Sequence, residues 1–226
     1  MNDNLSDERE WKARLDAGAN QIGFDLDQSQ LDILWRYAFM LRERNAHVNL
    51  TSIVSWEGIL TLHMLDSLSV VPHLGDAQTV IDVGTGGGFP GIPLAVACPD
   101  KQFTLIDGTQ KKIRFVNESI EALDIRNAQA TAVRAETLPK NLQFDRVVAR
   151  AVSTLADLVH NAGRLVAPGG RLLAMKGRLP DEEISALPRT WRADVVKLQV
   201  PGLDAERHLV SLARVNGGPK AKPPAR

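Results

Sequence analysis

The residues with the plainest chemical meaning lie in one run, Val80-Ile81-Asp82-Val83-Gly84-Thr85-Gly86-Gly87-Gly88-Phe89-Pro90-Gly91. An apolar strand ends at Asp82-Val83, and four of the next five residues are glycine. Glycine reaches positive φ without steric cost and lets another group approach the backbone, but it loses more chain entropy on folding than any other residue. A turn without a ligand has little reason to carry that loss. Pro90 and Pro93 suit the first turn of a following helix. Strand, glycine turn and helix together bind a ligand at the carboxyl edge of a parallel sheet. Two ligand classes compete. A dinucleotide asks for G-x-G-x-x-G/A; Gly84 and Gly86 fit, but Phe89 stands third and is too large for the close helix–strand packing required there. The pattern D-x-G-x-G-x-G, with Asp82, Gly84, Gly86 and Gly88, places a carboxylate before the turn. A carboxylate repels a diphosphate and attracts a cationic amino-acid group. S-adenosylmethionine carries such a group and no phosphate, so it is the favoured ligand.

Other residues extend this site. Asp107 ends the second strand candidate, 23 positions after Gly84, where a carboxylate accepts hydrogen bonds from both ribose hydroxyls of an adenosine. Ala135-Glu136 follows the third strand candidate and offers a small wall and an acceptor for the adenine amino group. Arg150 ends an apolar strand at the same edge, where its guanidinium suits a phosphate or a guanine. The competing reading of Arg150 is an ion pair with Glu136 or Asp82. Lys111, Lys112 and Arg114 on the helix after the second strand, with Lys176 and Arg178 after the fifth, are candidate contacts for a polyanion. His47, His63, His73, His160 and His208 show no metal-ligand spacing, and no metal site is expected.

These residues need an alternating scaffold. Strands are expected at Thr79–Val83, Phe103–Asp107, Gln129–Val133, Phe144–Ala149, Arg171–Lys176, Asp194–Val200 and His208–Val215. Helices are expected between them at Pro90–Ala97, Gln110–Leu123, Ser153–Leu165 and Asp181–Leu187. Such alternation implies parallel strands joined by crossovers, a doubly wound α/β sheet with helices on both faces. Val200-Pro201-Gly202 leaves no room for a last crossover helix, so an antiparallel strand is expected at that edge. In front, Leu31, Leu34, Trp35, Ala38, Phe39 and Leu41 recur at helical spacing within Asp27–Asn45. Ile59, Leu60, Leu62, Leu65, Leu68 and Val71 do so within Trp56–Val71, and Pro72 marks the end. Asn45, Asn49 and Asp66 are candidates for capping and locking these helices over the cleft. The chain thus divides into a helical extension (1–75), an α/β body (76–215) and a tail (216–226) expected to be disordered.

Composition narrows the function classes. A chain of 226 residues, 44% hydrophobic, buries a sizeable core without staples. Lys plus Arg and Asp plus Glu both number 27, which excludes a nucleic-acid affinity resting on total charge. Residues 1–75 hold 6 basic and 11 acidic side chains, a formal −5, and the remainder 21 and 16, a formal +5. Any polyanion is therefore expected on the second part. The single cysteine, Cys98, excludes a disulfide framework and a cysteine-based zinc cluster. No apolar run reaches the ~18 residues of a membrane span. Met1 to Trp11 has no secretory apolar stretch. A cytoplasmic, monomeric enzyme without membrane contact is expected.

The stretch from Asn45 to Gly177 resembles the RsmG (GidB) family of ribosomal RNA methyltransferases. The resemblance rests on Arg44-Asn45-x-x-x-Asn49-Leu50-Thr51, His63-x-x-Asp66-Ser67, the run from Asp82 to Pro93 with its Gly88-Phe89-Pro90-Gly91-Ile92-Pro93, Lys111-Lys112-Ile113-Arg114-Phe115, Arg150-Ala151 and Lys176-Gly177. It implies a Rossmann-like class I S-adenosylmethionine-dependent methyltransferase, with a seven-stranded, mostly parallel sheet and an N-terminal helical extension. It implies S-adenosyl-L-methionine as cofactor, 16S rRNA in the small ribosomal subunit as partner, and methyl transfer to N7 of the guanine numbered 527. Carried over by motif, cofactor contacts fall on Gly84, Phe89, Ala135, Glu136 and Arg150, beside the Asp82, Gly86 and Asp107 read from the residues themselves. Arg150 is also the candidate catalytic residue, and Lys111, Lys112, Arg114 and Lys176 are the RNA-binding ones. His47 and His63 lie in the family's motifs, with structural and RNA-contacting roles both open. Gly108-Thr109-Gln110 and Met175 depart from the residues usual at those places. Guanine N7 is an in-plane lone pair with no proton to remove, so the transfer needs alignment rather than a general base. Two other functions stay in view: a non-catalytic RNA-binding module that keeps the pocket, and a methyltransferase of a small molecule.

Overall fold

The structure is a computed structural model that describes residues 7–150 and 153–215. The tail expected at 216–226 lies outside the described residues. Seven strands form one sheet: β1 (Thr79–Val83), β2 (Gln102–Asp107), β3 (Ala128–Ala132), β4 (Phe144–Arg150), β5 (Val166–Lys176), β6 (Trp191–Leu198) and β7 (Arg207–Arg214). Their order is β3-β2-β1-β4-β5-β7-β6. The first five pair in parallel, and β7 is antiparallel to both neighbours. The antiparallel strand is therefore not at the edge as the sequence suggested. It enters between β5 and β6. The reason is burial on both faces: Leu209, Val210 and Leu212 of β7 are fully buried, whereas β6 exposes Val195 and Val196.

The helices are α1 (Glu8–Ile22), α2 (Gln28–Val48), α3 (Trp56–Gly58), α4 (Asp66–Leu68), α5 (Val71–Leu74), α6 (Gly91–Ala97), α7 (Gln110–Ala122), α8 (Leu155–Ala162) and α9 (Asp181–Ser185). α6, α7 and α8 are crossovers between parallel strands. Between α3 and α4 the helix continues without a break as a π-helical segment, Ile59–Leu65, a form that concentrates at functional sites. Pro72 does not end this helix. It stands in the first turn of α5, where its missing N–H leaves nothing unpaired. α1 had no counterpart in the sequence reading. Its buried stripe is Trp11, Leu15, Gly18 and Ala19, half of it small, and Gly18 lets Leu65 of the π segment come close.

Successive strand residues point to opposite faces, and the core divides accordingly. Val80, Phe103, Leu105, Val148, Leu173, Met175 and Leu209 pack toward the front helices, α6 and α7. Ile81, Ile106, Val147, Ala149, Leu172, Val210 and Leu212 pack on the opposite face with α8. The same parity sends Asp82, Arg150 and Arg207 toward the front helices. There, Trp35 lies 4.6 Å from the Trp56 ring in a stack and 5.3 Å from Trp11 edge-on. An Asp27–Gln30 capping box starts α2. The Asn45 side chain accepts from the N–H groups of Leu50 and Thr51 and donates to the Thr51 carbonyl, so it locks the loop after α2, as expected. Among the described residues no helix is long and apolar enough to cross a membrane.

Candidate functional site

Two cavities open at the carboxyl ends of the strands. The first, about 190 Å³, lies over β1, β2 and β3. Gly84, Asp107, Ala135 and Glu136 line it together, four of the residues singled out from the sequence. Val133, Arg134, Ser153, Leu158 and Asn161 also belong to the wall; nothing in their spacing marked them. The glycine turn beside it needs its glycines. Gly84, Gly86 and Gly88 have φ of 75°, 59° and 90°, a region side chains avoid. A Cβ on Gly86 would meet nothing nearer than the Gly84 carbonyl oxygen at 4.0 Å, so the backbone there faces open space. The Gly86 N–H donates to Asp107 at 3.0 Å, and the Thr109 N–H to its other oxygen at 2.8 Å. Each carboxylate oxygen keeps a free lone pair.

Asp82 does not line this cavity. It is fully buried behind the turn, where one oxygen accepts from the Thr85 hydroxyl at 2.6 Å and the Gly91 N–H at 2.8 Å. Its other oxygen, Oδ1, is buried without a donor. Desolvation pushes its pKa up to about 6, so it is mostly ionised at neutral pH. An unpaired buried carboxylate oxygen against a turn with open backbone is a counter-charge for a cationic group. These two features fit the amino-acid end of S-adenosylmethionine, and the free Asp107 lone pairs fit its ribose. The turn is held from the front. Fully buried Tyr37 of α2 donates its hydroxyl to the Gly87 carbonyl and packs against Phe89 and Phe115. Tyr37→Phe leaves that carbonyl without a donor, worth about 1–3 kcal/mol. Its expected result is a several-fold loss of affinity for S-adenosylhomocysteine by calorimetry, with a drop in melting temperature of roughly 2–12 °C.

The second cavity, about 630 Å³, lies at the seam between the front helices and the ends of β4, β5 and β7. Its wall includes Thr51, Ser52, His63, Asp66, Arg150, Lys176 and Arg207. Arg150 pairs with neither Glu136 nor Asp82. It donates to the Leu62 carbonyl at 2.8 Å, to Asp66 at 3.1 Å and to His63 Nδ1 at 3.1 Å, and lies over the Phe89 ring. Asp66, 3% exposed, also takes the Arg207 Nε–H at 2.9 Å. One carboxylate from the front helices thus fixes two arginines from the sheet, rather than capping a helix. Lys176 bonds Glu183 and the Ser153 carbonyl, and Ser153 borders the first cavity, so one hydrogen bond links the walls of the two. His63 stacks on Phe89, rings 4.3 Å apart and 11° from parallel. Burial first, and Arg150 second, bring its pKa down to about 3. With both nitrogens engaged and no charge, it is not placed to act as a base.

The remaining candidates lie apart. Lys111 and Arg114 are exposed and Lys112 half-buried on α7, His47 is exposed on α2, and none lines either cavity. Among the described residues no three His, Cys, Asp or Glu side chains are grouped to hold a metal ion.

Residues 30–210 match the family described as GidB: rRNA small subunit methyltransferase G. The Ribosomal RNA small subunit methyltransferase G of Ralstonia nicotianae is 44% identical over 211 residues, covering 89% of this chain and 95% of that protein. The protein of the same name from Burkholderia thailandensis is 46% identical over 209 residues, covering 89% and 90%. Among solved structures, TrmN from Thermus thermophilus has a TM-score of 0.52 at 19% identity, over 69% of this chain and 53% of that one. A SAM dependent methyltransferase from Aquifex aeolicus has a TM-score of 0.51 at 18% identity, over 67% and 91%. The latter two likenesses concern the fold, which is that of class I methyltransferases. By its sequence match over most of its length, the chain belongs to the rRNA small subunit methyltransferase G family.

Proposed function

We propose that this protein is an S-adenosylmethionine-dependent methyltransferase of 16S rRNA in the small ribosomal subunit, and that its acceptor is N7 of the guanine numbered 527. Family membership supports the reaction class and the RNA. The single observation that carries the site assignment is the pair of cavities at the same edge of the sheet, one lined by Gly84 and Asp107, the other by fixed arginines. S-adenosylmethionine, when bound, supplies a methyl group activated by a sulfonium. This chain's residues do the rest by placement. The turn holds the amino-acid end, with Asp82 as the buried counter-charge behind it; Asp107 holds the ribose, and Ala135 and Glu136 the adenine. The seam cavity takes the acceptor base, with Arg150 on its wall and Arg207 and Lys176 positioned for the phosphates beside it. Alignment and exclusion of water suffice, because N7 needs no deprotonation. Lys111, Lys112 and Arg114 then extend the electrostatic footprint along the RNA.

Labelled methyl donor, incubated with the protein and 30S subunits or 16S rRNA lacking the modification, tests this reading. One guanine should take up label at N7. Binding of the donor with no RNA form labelled would overturn it.

A further inference from the structure

The seam cavity contains a hydroxyl whose polarity is fixed from outside. A guanidinium only donates, so the Arg150 nitrogen 3.1 Å from His63 Nδ1 requires a lone pair on Nδ1. Neutral His63 therefore carries its proton on Nε2, which faces the Thr51 hydroxyl oxygen at 2.8 Å. That N–H donates to Thr51. The Ile53 N–H donates to the same oxygen at 3.0 Å. A hydroxyl oxygen has two lone pairs and one proton, and both lone pairs are now taken. Thr51, on the cavity wall, is left as a donor only.

We propose that Thr51 is a specificity-determining residue of the acceptor site, which reads the 6-position of the base as a carbonyl through a hydroxyl set to donate by the Arg150–His63 relay. The proposal rests on the seam cavity receiving the acceptor base, as argued above. The chemistry follows from the base edge. Guanine presents O6, an acceptor, next to N7; adenine and 2,6-diaminopurine present an amino donor there. Thr51 pairs with the first and meets the second donor to donor. Sites that spend a buried hydrogen bond on one partner reject analogues that cannot return it far more strongly than apolar pockets do. N7 stays free for the methyl group, and the bond to O6 fixes the ring beside it.

The test uses the full chain and small subunits reconstituted with unmodified 16S rRNA, with either guanine or 2,6-diaminopurine at the acceptor position. The parent enzyme should modify guanine at least about 30-fold faster. Thr51→Val should slow guanine and bring the ratio to within a few-fold, while Thr51→Ser restores both. A structural role would lower both rates together and leave the ratio alone. An unchanged ratio in a folded Thr51→Val enzyme overturns the proposal. A parent enzyme that modifies neither base overturns the proposed function, and this inference with it. A second measurement does not depend on turnover: nitrogen NMR of the parent protein at neutral pH should show the His63 proton on Nε2. A proton on Nδ1 would break the relay and overturn the assignment.

Discussion

Gly88→Ala should lower the melting temperature by roughly 10 °C, at about 2–4 °C per kcal/mol for a chain of this size, whereas Gly86→Ala should cost only a few degrees and still lose methyl-donor binding. The two glycines sit two residues apart in one turn, both at positive φ, so each substitution pays a left-handed penalty of about 1–2 kcal/mol. They differ in what a methyl group meets. At Gly88 it would overlap the Tyr37 hydroxyl and come within 2.9 Å of Ile92 Cγ1. Tyr37 is fully buried and bonded to Gly87, so it has nowhere to turn, and overpacking adds about 1–3 kcal/mol. At Gly86 the methyl meets no protein atom closer than 4.0 Å. It fills the space assigned to the ligand. Thermal unfolding and titration with S-adenosylhomocysteine on both variants check this. Equal melting shifts, or normal affinity in Gly86→Ala, would remove the glycine turn from the cofactor site.

The turn was legible because its chemistry is local: strand, glycines and helix lie within nineteen residues, Thr79–Ala97, and β-branched alternation marks the strands on either side. Strand parity also carries which face Asp82 and Arg150 take. What Arg150 touches was not legible. Its partners Asp66 and His63 lie 84 and 87 positions away, and Arg207 is 141 from Asp66. Nothing in spacing joins an arginine at a strand end to a carboxylate in a preceding helix. Sequence reasoning missed Arg207 for that reason, and with it the clamp that makes the seam cavity. Its one available signal was parity with buried Leu209. The first half of β5 was missed because Pro168-Gly169-Gly170 reads as a turn; in the fold it is a bulged start to the strand, where pairing with β4 shifts register. The basic residues of α7 were readable as a cluster. Their distance from both cavities was not, since it depends on which way the first turn of the helix faces.

Asp82→Asn should make the ligand-free protein more stable above pH 6 while weakening its hold on the cofactor. Burial raises the Asp82 carboxyl from 3.8 to about 6, against the pull of the Thr85 and Gly91 donors and of Arg150. In acid, folded and unfolded chains both keep this proton and it costs nothing. As pH climbs past 3.8 the unfolded chain releases it first, so stability falls until the folded carboxyl also ionises near 6, and the deficit then stays constant. A shift of that size corresponds to about 3 kcal/mol, or roughly 6–12 °C of melting temperature. Asparagine keeps the acceptor for Thr85 and Gly91 and puts an amide where Oδ1 has no donor, so it escapes the ionisation cost. The melting curves of parent and variant should therefore lie close near pH 3 and diverge to their full separation by pH 7, with the variant higher. In the proposed site the same charge balances the cationic end of the cofactor, so S-adenosylhomocysteine affinity should fall at least about tenfold, the size expected when a buried ionic partner is lost. A carboxylate kept at a standing cost to the empty protein is the pattern of a binding residue. Curves that run parallel from pH 3 to 8, with affinity intact, would show that Asp82 only braces the turn through Thr85 and Gly91.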